Sequence, residues 1–275
     1  MHPLIIDLGM VNLPFFGETH LFLPTYGLLF AISVLVAWRW YALRTRDMGV
    51  SPEHLFNQTF YTLLAGVLGA KLLLILVDWR FYLDHPGQIL GTLRSAGVLV
   101  GGVISGMAAF FIYGKRHSLP MWKLVDAIVA PVALAQAIGR LGCFSAGCCW
   151  GRETSLSALS VVFTDPEAAQ QTGVPLNIPL VPTQLIQFGN DLIVALILTF
   201  AWRKKLKPDG TVFWLYVLLY SVGRGVIEFW RGDSHRGLFF GGLVSTSQLF
   251  ALAGVVVALF FLVRNRRAAL SARSG

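Results

Sequence analysis

The chain has 275 residues, of which 55% are hydrophobic and 13% charged, with a formal net charge of +8 and a mean hydropathy of +0.66. Soluble domains carry about 25% charged residues, so the composition argues against a soluble protein with a large core. It also argues against a nucleic-acid surface, because the basic residues are spread over loops instead of clustering with exposed aromatics.

Residues 1–20 contain no Lys or Arg. Without a basic start they are not a cleavable signal peptide and read as a short outer segment. Seven apolar stretches follow, near 21–38, 58–77, 97–114, 124–141, 186–202, 211–229 and 245–263. Each approaches the ~20 residues that cross a hydrocarbon core of ~30 Å. The fifth is the least apolar, because Gln184, Gln187, Asn190 and Asp191 gather at its start. The expected fold is therefore all-α, a single polytopic membrane domain over 1–275 with about seven transmembrane helices and an outer loop over 142–185. There are no internal repeats or low-complexity segments.

The basic residues sort by loop. Fourteen follow the first, third, fifth and seventh stretches: Arg39, Arg44, Arg46, Lys115, Arg116, Lys123, Arg203, Lys204, Lys205, Lys207, Arg264, Arg266, Arg267 and Arg273. Five lie on the opposite side: Arg80, Arg94, Arg152, Arg231 and Arg236. The positive-inside rule then places the N-terminus outside and the C-terminus in the cytoplasm. The basic tail is a stop signal and a contact for anionic membrane lipids. Asp126, at the cytoplasmic start of the fourth stretch, reads as a structural partner of the helix dipole.

Three cations remain inside apolar stretches, Lys71, Arg140 and Arg224. A charge there costs roughly 2.5–3.5 kcal/mol on insertion scales. In the expected orientation all three fall toward the outer leaflet, with Tyr26 and Gly101–Gly102. Together they suggest a pocket for an anion, and in a bilayer that anion is a lipid phosphate. Bland readings stand beside this one. Lys71 and Arg140 can snorkel to the interface, Arg224 can pair with Glu228 one turn on, and Tyr26 can belong to the interfacial aromatic belt.

Residues 139–152 read GRLGCFSAGCCWGR and hold all three cysteines. Gly139, Gly142, Gly147 and Gly151 permit tight turns, and exposed backbone N–H groups beside Arg140 would make a phosphate cradle. Cys143, Cys148 and Cys149 admit a disulfide, a reactive thiol beside Arg140 or Arg152, or plain packing of small residues. A metal site lacks the CxxC spacing or neighbouring His that would support it, so no metal and no cofactor are expected.

With this loop in view, the chain resembles the prolipoprotein diacylglyceryl transferases, as a divergent member with a Cys-rich signature loop. The family signature is similar to G-R-x-G-N-F-x-N-x-E-x-x-G, of which Gly139, Arg140, Gly142, Phe144 and Gly151 are kept. The resemblance covers most of the chain. Pro24-Thr25-Tyr26-Gly27-Leu28 resembles the first-span Tyr-Gly motif. Gly66 to Lys71 resembles G-x-x-x-G-A-R with Lys for Arg, and Tyr82 to Leu90 resembles Y-F-x-x-H-P. Asp126, Ala130-Pro131 and Gln136 to Arg140 resemble the run into the signature. Pro182-Thr183-Gln184-Leu185 resembles part of H-P-T-Q-L-Y-E. Tyr220, Gly223-Arg224, Glu228-Phe229 and Arg231 resemble Y-x-x-x-R-x-x-x-E-x-x-R, and Gln248 matches the last-span Gln.

The resemblance implies a seven-span inner-membrane enzyme of bacteria. Such an enzyme moves diacylglycerol from phosphatidylglycerol to the lipobox cysteine of a prolipoprotein signal peptide and releases glycerol phosphate. It implies Arg140, Arg224, Tyr26, Cys143 and Cys148 as catalytic positions. Arg140, Lys71, Gly101, Gly102, Gly142, Gly151, Glu228 and Arg231 are implied to bind substrate. Arg140 and Arg224 would grip phosphate in a bidentate way, Lys71 would add a point charge, and Gly101–Gly102 would leave room for acyl chains or permit close helix packing.

The departures are specific. Cys143, Ala146 and Cys148 stand where the signature has Asn, Asn and Glu, and Val181, Ile186 and Gln187 replace His, Tyr and Glu. Val100 replaces the His proposed as general base, and Val cannot accept a proton. Two alternatives therefore stand beside the transferase. One is a relative that binds or moves phospholipid without the chemistry, and the other is a thiol-active lipid-modifying enzyme using Cys148 or Cys149.

Overall fold

In a computed structural model, residues 4–13, 17–92, 97–156, 159–204, 206, 208–233, 237–239 and 244–274 are described. Arg94, Lys205, Lys207 and Arg236, counted above among the loop charges, lie outside these. The chain forms ten α-helices among the described residues, with three two-stranded antiparallel sheets. Six helices are long and apolar enough to cross a membrane, which makes this an all-α, multi-pass membrane protein. Their outward faces carry Leu35, Leu68, Leu72, Phe250 and Phe260, each about 60% exposed. Such surfaces suit lipid, since a large exposed apolar patch is rare in water.

The chain divides into two compact units, 42–124 and a second of 1–41 with 125–275. In the second unit, the segment read as a short outer one pairs as antiparallel strands, β1 (Leu4–Leu13) with β2 (Gly17–Pro24). It delays helix α1 to Thr25–Arg44, so the first span starts four residues later than expected. Helix α6 (Met121–Ala146) passes through Pro131 and continues beyond Arg140. Helices α8 (Thr183–Arg203), α9 (Thr211–Ile227) and α10 (Thr246–Ser274) follow.

Small residues let the α6, α8 and α9 backbones approach. Val129, Ala130 and Ala133 pack with Val194, Ala195, Leu198, Ala201 and Val212, as expected where packing, not water exclusion, holds helices together. Asp126 is buried and accepts from the Gly210 and Phe213 N–H groups at 2.7 and 2.8 Å. It is structural, but it caps the start of α9, not its own helix. Gln248 and Ser245 exchange side-chain and backbone hydrogen bonds at the start of α10, a reciprocal cap.

In the unit 42–124, Ser51 caps helix α2 (Pro52–Val77) by accepting from the His54 N–H at 3.2 Å. Helices α3 (Trp79–Asp84) and α4 (Gln88–Gly91) are short. Helix α5 (Leu99–Arg116) occupies the third expected span. Its 18 residues end on Lys115 and Arg116, and it is not among the six helices long and apolar enough to cross a membrane.

Glycines set the seam between α2 and α5. A Cβ on Gly101 would sit 2.5 Å from the Gly69 carbonyl oxygen, and one on Gly102 3.0 Å from that of Gly66. No side chain fits there. The geometry realises the close-packing reading of Gly101–Gly102, and the space beside Gly101 is filled by Gly69 and Leu73.

Candidate active site

The end of α6 is where the structure gathers most of the expected residues. The loop 139–152 is not irregular throughout, because α6 runs to Ala146 and makes residues 139–146 helical. The chain then reverses through Gly147 and Cys149, at φ of 75° and 61°. Left-handed backbone suits glycine but strains a residue with a Cβ, so Cys149 is held against its own preference.

The holders are on α8. Thr183 Oγ1 donates to the Cys149 carbonyl and Gln184 Nε2 to the Cys148 carbonyl, both at 2.8 Å. The Pro-Thr-Gln motif thus clamps the cysteine loop. A small cap covers the same turn. Its elements are β3 (Val161–Val162), α7 (Pro166–Thr172) and β4 (Pro179–Leu180), around Phe163, Ala168, Val174 and Leu180. Thr172 Oγ1 donates to the Gly147 carbonyl at 3.1 Å.

Four of the loop's backbone donors expected in a phosphate cradle are already engaged. The N–H groups of Gly147, Cys148, Gly151 and Arg152 donate to the carbonyls of Phe144, Cys143, Val181 and Trp230. Hydrogen bonds already made within the fold leave those donors unavailable to a ligand. Gly142 and Gly151 serve packing instead: a Cβ on Gly142 would meet Tyr26 Cδ2 at 3.1 Å, and one on Gly151 the Val181 oxygen at 2.3 Å.

Arg140 is the central side chain. Among the described residues it makes no hydrogen bond or ion pair. The groups facing it are Cys143, Tyr220, Cys149 and Asp191. Tyr26, at the start of α1 and 44% exposed, faces Cys143, Cys148, Cys149 and Arg140. Tyr26, Arg140, Cys143 and Cys148 therefore come together.

Arg224 near the end of α9 is engaged. It pairs with Glu228 at 2.5 Å and donates to Ser247 at 3.0 Å. Arg231 forms a two-pronged pair with Asp233. Burial alone would lower the Arg231 guanidinium, but the Asp233 hydrogen bonds and the charge of Cys149 outweigh it and raise it. Hydrogen bonds from Cys143 and Cys148, aided by Arg231 and Arg140, pull the Cys149 thiol down against burial.

In the other unit, Lys71 Nζ donates to the Thr92 carbonyl, the partner a snorkelling amine seeks. Val100 is about half exposed on α5.

Two groups were not singled out by sequence reasoning as part of the site. Asp191 on α8 is 1% exposed. Its Oδ1 accepts from Gln187 and Asn190, its Oδ2 is buried without a hydrogen bond, and it faces Arg140 and Arg224. Its signal was the polar start of the least apolar span. Tyr216, whose hydroxyl donates to Gln136 at 3.0 Å, ties α9 to α6 below Arg140.

The chain is thus a helical multi-pass membrane protein in which an arginine without an ion pair among the described residues stands beside a tyrosine and thiols at a strained, clamped turn. Residues 16–264 match the family described as "Prolipoprotein diacylglyceryl transferase". Curated relatives carry the name phosphatidylglycerol–prolipoprotein diacylglyceryl transferase. One from Clostridium tetani is 37% identical over 86% of this chain and 90% of its own length. One from Clostridium perfringens is 31% identical, covering 83% and 85%, and one from Dehalococcoides mccartyi is 32% identical, covering 88% and 89%. The chain belongs to the prolipoprotein diacylglyceryl transferase family.

Proposed function

We propose that this chain transfers the diacylglyceryl group of phosphatidylglycerol to the lipobox cysteine thiol of prolipoproteins, with Arg140 as the residue that holds the phosphate. Family membership carries the transferase activity. The observation that carries the role of Arg140 is its half-buried guanidinium, without an ion-pair partner among the described residues, on a membrane helix.

In the reaction the substrate sulfur attacks the glyceryl carbon next to the phosphate. The C–O bond breaks, its electron pair leaves with glycerol phosphate, and the thiol proton is released. Charge grows on the leaving phosphate, and fixed donors aimed there lower the barrier. Arg140 offers a planar pair of donors, and Arg224, already oriented by Glu228 and Ser247, is the second cation. Tyr26 donates to the phosphate or the leaving oxygen. In its own unit Lys71 gives a headgroup a point charge, and Gly101 and Gly102 fix the helix pair that carries it.

The reading includes seven spans, with α5 as the third, in one membrane domain. The N-terminus lies outside, the C-terminus is cytoplasmic, and the site faces the outer leaflet of the bacterial inner membrane. The loop charges support this orientation. Signal peptides would approach by the cap over the cysteine turn, and membrane lipids would cover the exposed apolar faces.

The test is transfer in detergent from phosphatidylglycerol to a lipobox peptide, followed by peptide mass. A diacylglyceryl mass increase that Arg140→Ala removes, in a variant that still inserts, is expected. Full activity in Arg140→Ala would overturn the phosphate role.

A further inference from the structure

The three cysteines do not share the usual metal spacing, yet the fold brings them together. Their Sγ atoms all lie within 4.8 Å of one another, none is in a disulfide, and each is partly exposed. Cys143 rides the last turn of α6. Cys148 and Cys149 are returned to it by the strained turn at Gly147 and Cys149 and by the clamp from Thr183 and Gln184.

We propose that Cys143, Cys148 and Cys149 form a three-thiolate site for a divalent thiophilic ion, zinc by class, whose open fourth position takes the thiol of the incoming lipobox cysteine. The donor set is all sulfur, which disfavours calcium and magnesium. Zinc bound to sulfur at ~2.3 Å in a tetrahedron spaces its sulfurs at ~3.8 Å, so closing the group needs shifts of under about 1 Å per atom. Among the described residues no His, Asp or Glu joins the group. A structural zinc site is closed by a fourth protein ligand, whereas three protein ligands and one open position are the pattern of a reactive site. A divalent ion would leave the three thiolates with one net negative charge, and the unpaired Arg140 faces it.

This inference rests on the transferase reading and answers a question that reading leaves. Val100 stands where a His base is expected, so the chain must make its nucleophile another way. A thiol bound to zinc is deprotonated outright. The substrate thiol would enter the fourth position and lose its proton to solvent. A sulfur lone pair would attack the glyceryl carbon while the C–O bond breaks toward the phosphate at Arg140. The thioether product is a poor ligand and would leave, reopening the position. The phosphate and thiol sites lie side by side, because Tyr26 and Arg140 both face the cysteines.

Cobalt(II) is the probe. The full chain in detergent, reduced and freed of metal, is titrated with cobalt and then with lipobox peptide, and zinc is measured by competition with a chromophoric chelator. One equivalent per chain, a sulfur-to-cobalt charge-transfer band, and a visible spectrum that shifts with the peptide but not with its Cys→Ser version are expected. Cys148→Ser and Cys149→Ser should each weaken zinc binding at least tenfold, and the triple Ser variant should remove it. Metal binding no greater than that of the triple variant overturns the site. A cobalt spectrum indifferent to peptide overturns the open position. Undiminished transfer after chelation overturns the role of the ion while leaving the transferase intact. A peptide-dependent cobalt spectrum with no transfer under any metal condition supports the site and sinks the transferase reading.

Discussion

The ends of α6 and α9 each carry an arginine into apolar surroundings, and the fold furnishes them differently. Arg224 has a carboxylate one turn away and a serine on α10. Among the described residues Arg140 has neither, only the influence of Cys143, Tyr220, Cys149 and Asp191. A paired cation has already recovered part of its desolvation cost, while an unpaired one recovers it only when a ligand arrives. The difference teaches that depth in the membrane does not rank binding cations; unmet pairing makes Arg140 the primary grip and Arg224 the secondary one.

The sharpest test of that contrast is Arg140→Ala. Losing a donor aimed at developing charge costs about 10²–10³-fold in rate, and the peptide-mass assay reads it directly. Because Arg140 leaves no partner behind, thermal unfolding should hardly change. Arg140→Lys should fall between, since an ammonium cannot span two phosphate oxygens.

Arg224→Ala should act on the fold first. Glu228 is 2% exposed, and removing one partner of a buried pair costs about 3–5 kcal/mol. Thermal unfolding in detergent would read this as a lower Tm, and Arg224→Ala with Glu228→Gln should recover much of it. A stable Arg224→Ala protein that loses transfer as fully as Arg140→Ala would break the comparison and make the two arginines a single clamp.

The same contrast marks how far the sequence could be read. The all-α, multi-pass class was legible because lipid demands long apolar helices, whereas the count of about seven exceeds the six helices long and apolar enough to cross; Arg140 stood out because a charge there needs a reason. The pairing of Arg224 was legible as an alternative, since Glu228 follows at one helical turn. The geometry around the glycines was not. Gly142 and Gly151 read as openings for a phosphate, yet their hydrogen atoms point at Tyr26 and Val181, and only tertiary contact decides that. The cysteine cluster was hidden because α6 runs past Cys143, and the return of Cys148 depends on a clamp from α8, some 35 residues on. Asp191 escaped because a polar residue at a span end reads as a weak span before it reads as a buried carboxylate.

Val100→His is a smaller probe. If zinc or another group supplies the thiolate, an imidazole added at a half-exposed position of α5 changes transfer less than tenfold, below the ~10²-fold or more that a positioned general base contributes. A larger gain in the pH–rate profile, with a new inflection in the imidazole range, would instead show that the missing base limits this enzyme.

The finest probe compares two glycines that flank Arg140. A Cβ on Gly139 meets nothing within 4 Å, whereas one on Gly142 would lie 3.1 Å from Tyr26 Cδ2 and 3.4 Å from its Cα. Gly139→Ala should leave transfer within about twofold. Gly142→Ala must push Tyr26 by a few tenths of an ångström. Displacements of ~1 Å cost about 10²-fold when geometry is near-attack, so a few tenths should cost only a few-fold. The loss should appear in kcat rather than KM if Tyr26 acts on the leaving oxygen, and in KM if it merely lies in the interfacial belt against the lipid. Equal effects at Gly139 and Gly142 would remove Tyr26 from the site and leave Arg140 as its only fixed point.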